Sequence, residues 1–108
     1  KGMNALEKEI LSDFKQRISA RLPLDRMILF GSRARGDADP DSDMDVLVVL
    51  DCPVDWDTRS TVSECAWEAS VCKGIILVPV PVWKKEWEEG PESASLLAIA
   101  VEEEGITV

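Results

Sequence analysis

Three short, continuous apolar runs constrain the fold of this chain most strongly. They span Met27–Phe30, Val46–Leu50 and Ile75–Val82. Runs of this length that are rich in valine and leucine and bounded by Gly, Asp or Pro are typical of buried strands. The third run contains Pro79 and Pro81. A proline cannot donate to a strand ladder, so we expect the later half of this strand at an edge of the sheet.

Helical patterns separate these strands. Asn4 and Glu7 form a capping-box pattern before the first helix. We expect that helix to end near residue 21, a second to span residues 57–73 before Gly74, and a third to span residues 91–104. The apolar face of the first helix consists of Leu6, Ile10, Leu11, Phe14 and Ile18. This alternation predicts an α/β or α+β layer sandwich.

Size and charge exclude several classes of protein. The chain has 108 residues and a net charge of −9. We expect one domain over residues 3–108, with Lys1-Gly2 a cloning remnant. The acidic charge argues against general nucleic-acid binding. The chain has no histidine. Its three cysteines are an odd number, which fits a reducing cytoplasm. No apolar run reaches the about 18 residues of a membrane span.

A pair of carboxylates marks the start of the second strand. Asp43 and Asp45 are two residues apart, and side chains at this spacing in a strand point to the same face. Two ionised carboxylates at this distance repel each other. A bound Mg²⁺ relieves that repulsion, because Mg²⁺ takes hard oxygen ligands.

A phosphate-binding turn is predicted where the first strand ends. Gly31 lets a phosphate approach the backbone closely, and the amides that follow form an anion site. The Ser32 hydroxyl adds a donor, and Arg33 or Arg35 adds positive charge. Together with the neighbouring carboxylates, this turn predicts a site for a nucleoside triphosphate with Mg²⁺.

The two motifs together read Gly-Ser, ten residues, then Asp-x-Asp, within residues 29–36 and 41–48. Here the chain resembles the minimal nucleotidyltransferases of the DNA-polymerase-β-like superfamily. The resemblance implies a small mixed β-sheet with helices packed mainly on one face. It implies that Gly31 and Ser32 bind the NTP, with ATP the expected donor, and that Asp43 and Asp45 are the catalytic ligands of Mg²⁺. We expect Arg33 to take part in nucleotide binding by offsetting the charge of the triphosphate. The reaction would move a nucleoside monophosphate to a hydroxyl and release pyrophosphate.

The partner follows from the same resemblance. Some members of this superfamily are the antitoxin halves of two-gene modules with an all-helical HEPN toxin, which they inactivate by adenylylation. A chain this small has no room for a separate acceptor domain. We therefore expect the acceptor on a HEPN-type partner protein or on a second copy of the chain.

One departure from the superfamily pattern keeps two hypotheses open. Active members carry a third carboxylate on the next core strand, whereas Ile75–Val82 contains no acid. Asp51 lies six residues beyond Asp45, about 20 Å along a strand. The chain is then either a Mg²⁺-dependent nucleotidyltransferase or a catalytically impaired protein of the same fold that binds and silences its partner.

The acidic segment Glu102-Glu103-Glu104 lies at the C-terminal end of the predicted third helix. The helix macrodipole disfavours negative charge there. The segment is either a solvated helix end or a docking patch for a basic partner.

Overall fold

The computed structural model describes residues 3–91 and 95–108. Within these residues the chain forms five helices and four strands. In chain order they are α1 (Ala5–Ser19), β1 (Leu24–Phe30), α2 (Ser32–Arg35), β2 (Met44–Leu50), α3 (Trp56–Ser70), β3 (Leu77–Trp83), α4 (Lys84–Glu89), α5 (Leu96–Glu104) and β4 (Ile106–Thr107).

The strands form one mixed sheet in the order β3-β2-β1-β4. β1 pairs antiparallel with both β2 and β4, and β2 pairs parallel with β3. The proline-containing strand β3 is an edge strand, as predicted from Pro79 and Pro81. The antiparallel register places Phe30, the last residue of β1, opposite Asp45 on β2.

The two faces of the sheet carry different helices. The two long helices α1 and α3 pack on one face, against side chains such as Met27, Val46 and Val48. The shorter helices α4 and α5 cover part of the other face, through Trp87 and Val101. Because side chains alternate along a strand, Asp45 lies on this second face, with Leu47 and Val49. The fold is the mixed α/β architecture that the sequence predicts.

Several element ends differ from the predictions. β1 begins at Leu24, three residues early, and α3 ends at Ser70, three residues early. Val71 has extended backbone, and both Cys72 and Gly74 have positive φ. The predicted start of the third helix falls partly on residues 92–94, which lie outside the described residues.

The capping box of α1 forms as predicted: Asn4 accepts from the Glu7 amide at 2.8 Å, and Glu7 accepts from the Asn4 amide at 2.9 Å. In the described part of the chain, no helix is long and apolar enough to cross a membrane.

Candidate active site

Gly31 brings the end of β1 against the carboxylate of Asp45. Its φ of +78° is a left-handed value that favours glycine. A Cβ built on Gly31 would lie 2.6 Å from Asp45 Oδ2, closer than a side chain can approach. The absence of a Cβ at this residue therefore makes the contact between the Gly-Ser turn and the Asp-x-Asp pair sterically feasible.

The two carboxylates are not neutralised by the protein. Asp43 is exposed and Asp45 is half-buried. Among the described residues, no lysine or arginine forms an ion pair with either of them. Burial raises the pKa of Asp45, and the charge of Asp43 raises it further. Two neighbouring carboxylates without a cationic partner suit a hard divalent cation.

Ser32 opens the short helix α2 directly after Gly31, and the turn ends at Gly36, whose φ is +83°. Ser32 is partly buried. The structure brings Gly31 close to Asp45 and places the charge of Asp43 near Asp45, with Ser32 next to Gly31 in the chain.

Arg33 occupies a different environment from the one predicted. Its guanidinium is almost fully buried, with 4% of the side chain exposed, and it forms an ion pair with the buried Glu7 at 2.8 Å. It also donates to the carbonyl oxygens of Ser42 and Pro40, both at 2.9 Å. These bonds hold the connection that leads into Asp43. The prediction that Arg33 offsets triphosphate charge does not fit this geometry, because its donors are committed to the protein.

Arg35 is the exposed arginine of this turn. Its Nε donates to Asp37 Oδ2 at 3.2 Å, and its Nη1 donates to Glu104 Oε2 at 3.1 Å. These partners raise the pKa of Arg35, the bond to Asp37 most of all.

Glu104, the last residue of α5, reaches the Gly-Ser turn. Its Oε2 accepts a hydrogen bond from the backbone amide of Gly31 at 2.7 Å. Only 21% of the Glu104 side chain is exposed. The Glu104 carboxylate, 73 positions away in the sequence, is thus hydrogen-bonded to the first amide of the predicted phosphate-binding turn.

The third carboxylate is absent from β3, as the sequence predicts. The parallel register places Val78 beside Asp45. In the described residues there is no group of three or more Asp, Glu, Cys or His side chains placed to hold a metal ion.

A mixed sheet with a Gly-Ser turn and an Asp-x-Asp pair on neighbouring strands defines the nucleotidyltransferase class of folds. The chain belongs to the nucleotidyltransferase domain family, whose sequence profile matches residues 8–106. This family generally uses a divalent metal ion.

Individual relatives agree with this assignment. The chain is 39% identical over 79 residues to a protein of Methanocaldococcus jannaschii named "Putative protein adenylyltransferase MJ0141", covering 71% of this chain and 79% of that protein. It is similar to a chain in the crystal structure of a toxin–antitoxin with AMP-PNP, with a TM-score of 0.64 and 22% identity over 89% of this chain and 69% of that one.

A third likeness is to a chain in the structure of tri-AMPylated Shewanella oneidensis HEPN toxin in complex with MNT antitoxin. The TM-score is 0.57 at 19% identity, over 94% of this chain and 70% of that one. At such identities, the two solved structures support the fold alone.

Two site residues were not found from the sequence. Glu7 was recognised as a helix-capping residue, but nothing in its context indicated the ion pair with Arg33, 26 positions away. Glu104 carried a weak signal, since a glutamate at a helix C-terminus is electrostatically disfavoured and calls for a compensating contact. That contact is the Gly31 amide.

Proposed function

We propose that this domain binds ATP with Mg²⁺ at Gly31, Ser32, Asp43 and Asp45, and transfers AMP to a hydroxyl group of a partner protein. The observation that carries the proposal is the close approach of Gly31 to Asp45, where a Cβ built on Gly31 would lie 2.6 Å from Asp45 Oδ2. The turn expected to bind phosphate is therefore next to the carboxylate of Asp45. Neither Asp43 nor Asp45 has a cationic partner among the described residues. The family assignment supports the same reading.

Each residue has a distinct role in the proposed site. Gly31 and Ser32 bind and orient the triphosphate through backbone and hydroxyl donors. Asp43 and Asp45 would hold Mg²⁺, which supplies positive charge that stabilises the phosphate oxygens. Arg33 takes no part in binding: it positions Asp43 by holding the connection that precedes it.

The proposed reaction is a displacement at phosphorus. The acceptor hydroxyl oxygen forms a bond to the α-phosphorus, the bond from that phosphorus to the bridging oxygen breaks, and pyrophosphate leaves. The hydroxyl proton must pass to a base. With Val78 at the register position beside Asp45, β3 supplies no such base, so we propose that the partner protein or the solvent accepts the proton.

The partner is proposed to be a HEPN-type helical protein. The chain matches a relative named a protein adenylyltransferase. It also has the fold of a chain in a complex of MNT antitoxin with a tri-AMPylated HEPN toxin. Both likenesses favour a protein hydroxyl over a small-molecule acceptor.

A second candidate function is binding without transfer. The absence of an acid from β3 favours it, because a chain without the third carboxylate could bind and silence its partner by contact alone. The two functions make different predictions for labelled nucleotide.

Calorimetric titration with ATP, with and without Mg²⁺, tests the site. We expect Mg²⁺-dependent binding by the natural chain and its loss in the double variant Asp43→Asn/Asp45→Asn. The matched control is Asp39→Asn/Asp41→Asn, which removes the same charge from exposed residues of the same connection. Equal loss in the control would attribute the effect to net charge. Unchanged binding in the Asp43/Asp45 variant would contradict the proposed site.

Incubation with a HEPN-type partner and ATP labelled at the α-phosphate then separates the two functions. Transfer predicts covalent label on the partner that requires Asp43 and Asp45. Binding alone predicts a complex that forms without label and survives the double substitution.

A further inference from the structure

We infer that Glu104 is a built-in competitor of the nucleotide's phosphates and sets the affinity of this site. The inference rests on the proposed function, because it assumes that phosphate binds at the Gly31 amide. That amide donates to Glu104 Oε2 at 2.7 Å. A phosphate oxygen and a carboxylate oxygen compete for the same donor, so the triphosphate must displace Glu104 to use it.

Arg35 stabilises Glu104 in the position where it accepts from the Gly31 amide. It donates to both oxygens of Glu104, at 3.3 and 3.1 Å. Charge-assisted bonds of this kind are stronger than neutral ones. The exposed cation of the phosphate turn is thereby neutralised by the same carboxylate that covers the Gly31 amide.

The backbone around Glu104 is fixed, so the contact is a feature of the fold and not of a loose terminus. Gly105 follows Glu104, and a Cβ there would lie 2.3 Å from the Val101 carbonyl oxygen and 2.6 Å from Ile28 Cγ2. β4 then pairs with β1, and Lys15 donates to the Val108 carbonyl at 2.8 Å. Glu104 can therefore leave Gly31 by rotating its own side chain, without movement of α5.

An alternative role for Glu104 is that of a third metal ligand. Glu104 belongs to no group of three acidic side chains around a metal position within the described residues. A metal ligand and a competitor predict opposite effects of removing the carboxylate. Loss of a ligand weakens the binding of nucleotide with Mg²⁺, whereas loss of a competitor strengthens it.

The test is a calorimetric titration of the full chain and of Glu104→Gln and Glu104→Ala with Mg²⁺ and ATP. Inorganic tripolyphosphate serves as a probe that lacks the base. The apparent Kd equals the intrinsic Kd divided by the fraction of open sites. We expect Glu104→Ala to bind both probes about tenfold to a hundredfold more tightly than the natural chain, the range for a hydrogen bond to a charged group. Glu104→Gln keeps a neutral acceptor and should gain less. The control is Glu103→Gln, an exposed glutamate of the same helix, which should bind like the natural chain.

Each outcome decides a separate point. If the natural chain binds ATP and the Glu104 variants bind equally or more weakly, the competitor inference is wrong and the proposed function stands. If Glu103→Gln gains as much affinity as Glu104→Gln, net charge is the cause and the inference is again wrong. If no variant binds at millimolar nucleotide, the proposed function fails, and this inference fails with it.

Amide hydrogen exchange supplies a readout that needs no nucleotide. The Gly31 amide should exchange slowly in the natural chain and faster in Glu104→Ala, with unchanged exchange in Glu103→Gln. Equal exchange of Gly31 in all three proteins would show that the contact does not form in solution and would overturn the inference.

Discussion

Arg33 and Arg35 are two residues apart on one turn, yet they have opposite environments. Arg33 is buried against Glu7 and the carbonyl groups of the connection that follows, while Arg35 is exposed and pairs with Asp37 and Glu104. At the residue scale, this difference indicates that Arg33 has a positioning role, whereas Arg35 acts at the surface of the site. It also predicts that the two arginines respond differently to the same substitution.

Replacing Arg33 by methionine should destabilise the fold by about 3–5 kcal/mol, because it leaves the buried Glu7 carboxylate without its partner. Arg35→Met removes only an exposed cation, so we expect little change in Tm. Urea unfolding of both variants measures the difference. Equal stability of the two variants would refute the positioning role of Arg33.

Asp45 should cost stability in the absence of a metal ion. Its pKa is raised from 3.8 by burial and then by the charge of Asp43. The folded state then binds the proton more tightly than the unfolded state, so stability falls as the pH rises through the raised pKa. With EDTA present, we expect Asp45→Asn to raise Tm by a few degrees at neutral pH, and less as the pH falls toward 3.8.

The control for Asp45→Asn is Asp41→Asn, since Asp41 is exposed and precedes β2. Its Tm should stay close to that of the natural chain. A Tm that falls in Asp45→Asn would mean that the carboxylate has a stabilising partner in the fold.

At the element scale, α3 depends on its N-cap residue, Asp55. Asp55 caps the helix by accepting from the Thr58 amide at 2.8 Å, and this bond lowers the pKa of Asp55. A carboxylate with a lowered pKa stabilises the fold above its unfolded pKa, and the stabilisation is lost as the pH falls through the folded pKa.

Asp55→Ala should therefore lower Tm at neutral pH, and the deficit should shrink in acid. Asp55→Asn keeps a side-chain acceptor and should retain most of the stability. Thermal unfolding monitored by circular dichroism at several pH values checks both variants. A deficit in Asp55→Ala that does not change with pH would contradict the role of the charged cap.

The edge strand β3 contains two prolines that protect it from pairing with strands of other chains. Pro79 and Pro81 remove two amide donors from a strand that has a neighbour on one side only, and prolines at such edges discourage pairing with other chains. The double variant Pro79→Val/Pro81→Val should self-associate at lower concentration than the natural chain in sedimentation experiments. Pro53→Val, an exposed proline after β2, is the control and should sediment as the natural chain does.

The success of the sequence predictions also divides by element. Strands β1, β2 and β3 were predictable because each apolar run has the length of a buried strand and is bounded by residues that end a strand. The end of α3 was not: the helix was predicted to reach residue 73, but it stops at Ser70, and Cys72 beyond it is exposed. β4 was missed because two residues carry no periodic pattern.

At the scale of the whole molecule, the site lies where distant parts of the chain meet. The Gly-Ser turn and the Asp-x-Asp pair were predictable because a fixed spacing and one strand pairing bring them together. The contact of Glu104 with Gly31 joins residues 73 positions apart. It depends on how α5 and β4 dock on β1, and no local pattern encodes that docking.

The whole-molecule charge of −9 bears on the proposed reaction as well. An acidic chain repels a free triphosphate at long range, and Glu104 adds a local competitor. Both effects make nucleotide binding depend on the divalent cation. We therefore expect ATP affinity without Mg²⁺ to improve as ionic strength rises, because salt screens the repulsion.

We propose above that the triphosphate and its metal ion bind between Gly31 and the Asp43/Asp45 pair. The most direct measurement is paramagnetic broadening of backbone amide resonances by Mn²⁺ added with ATP to the labelled full chain. We expect the amides of residues 31–32 and 43–45 to broaden first, those of α3 to be spared, and the effect to be lost in Asp43→Asn/Asp45→Asn. Broadening centred elsewhere, or unchanged in the double variant, would contradict the proposed site.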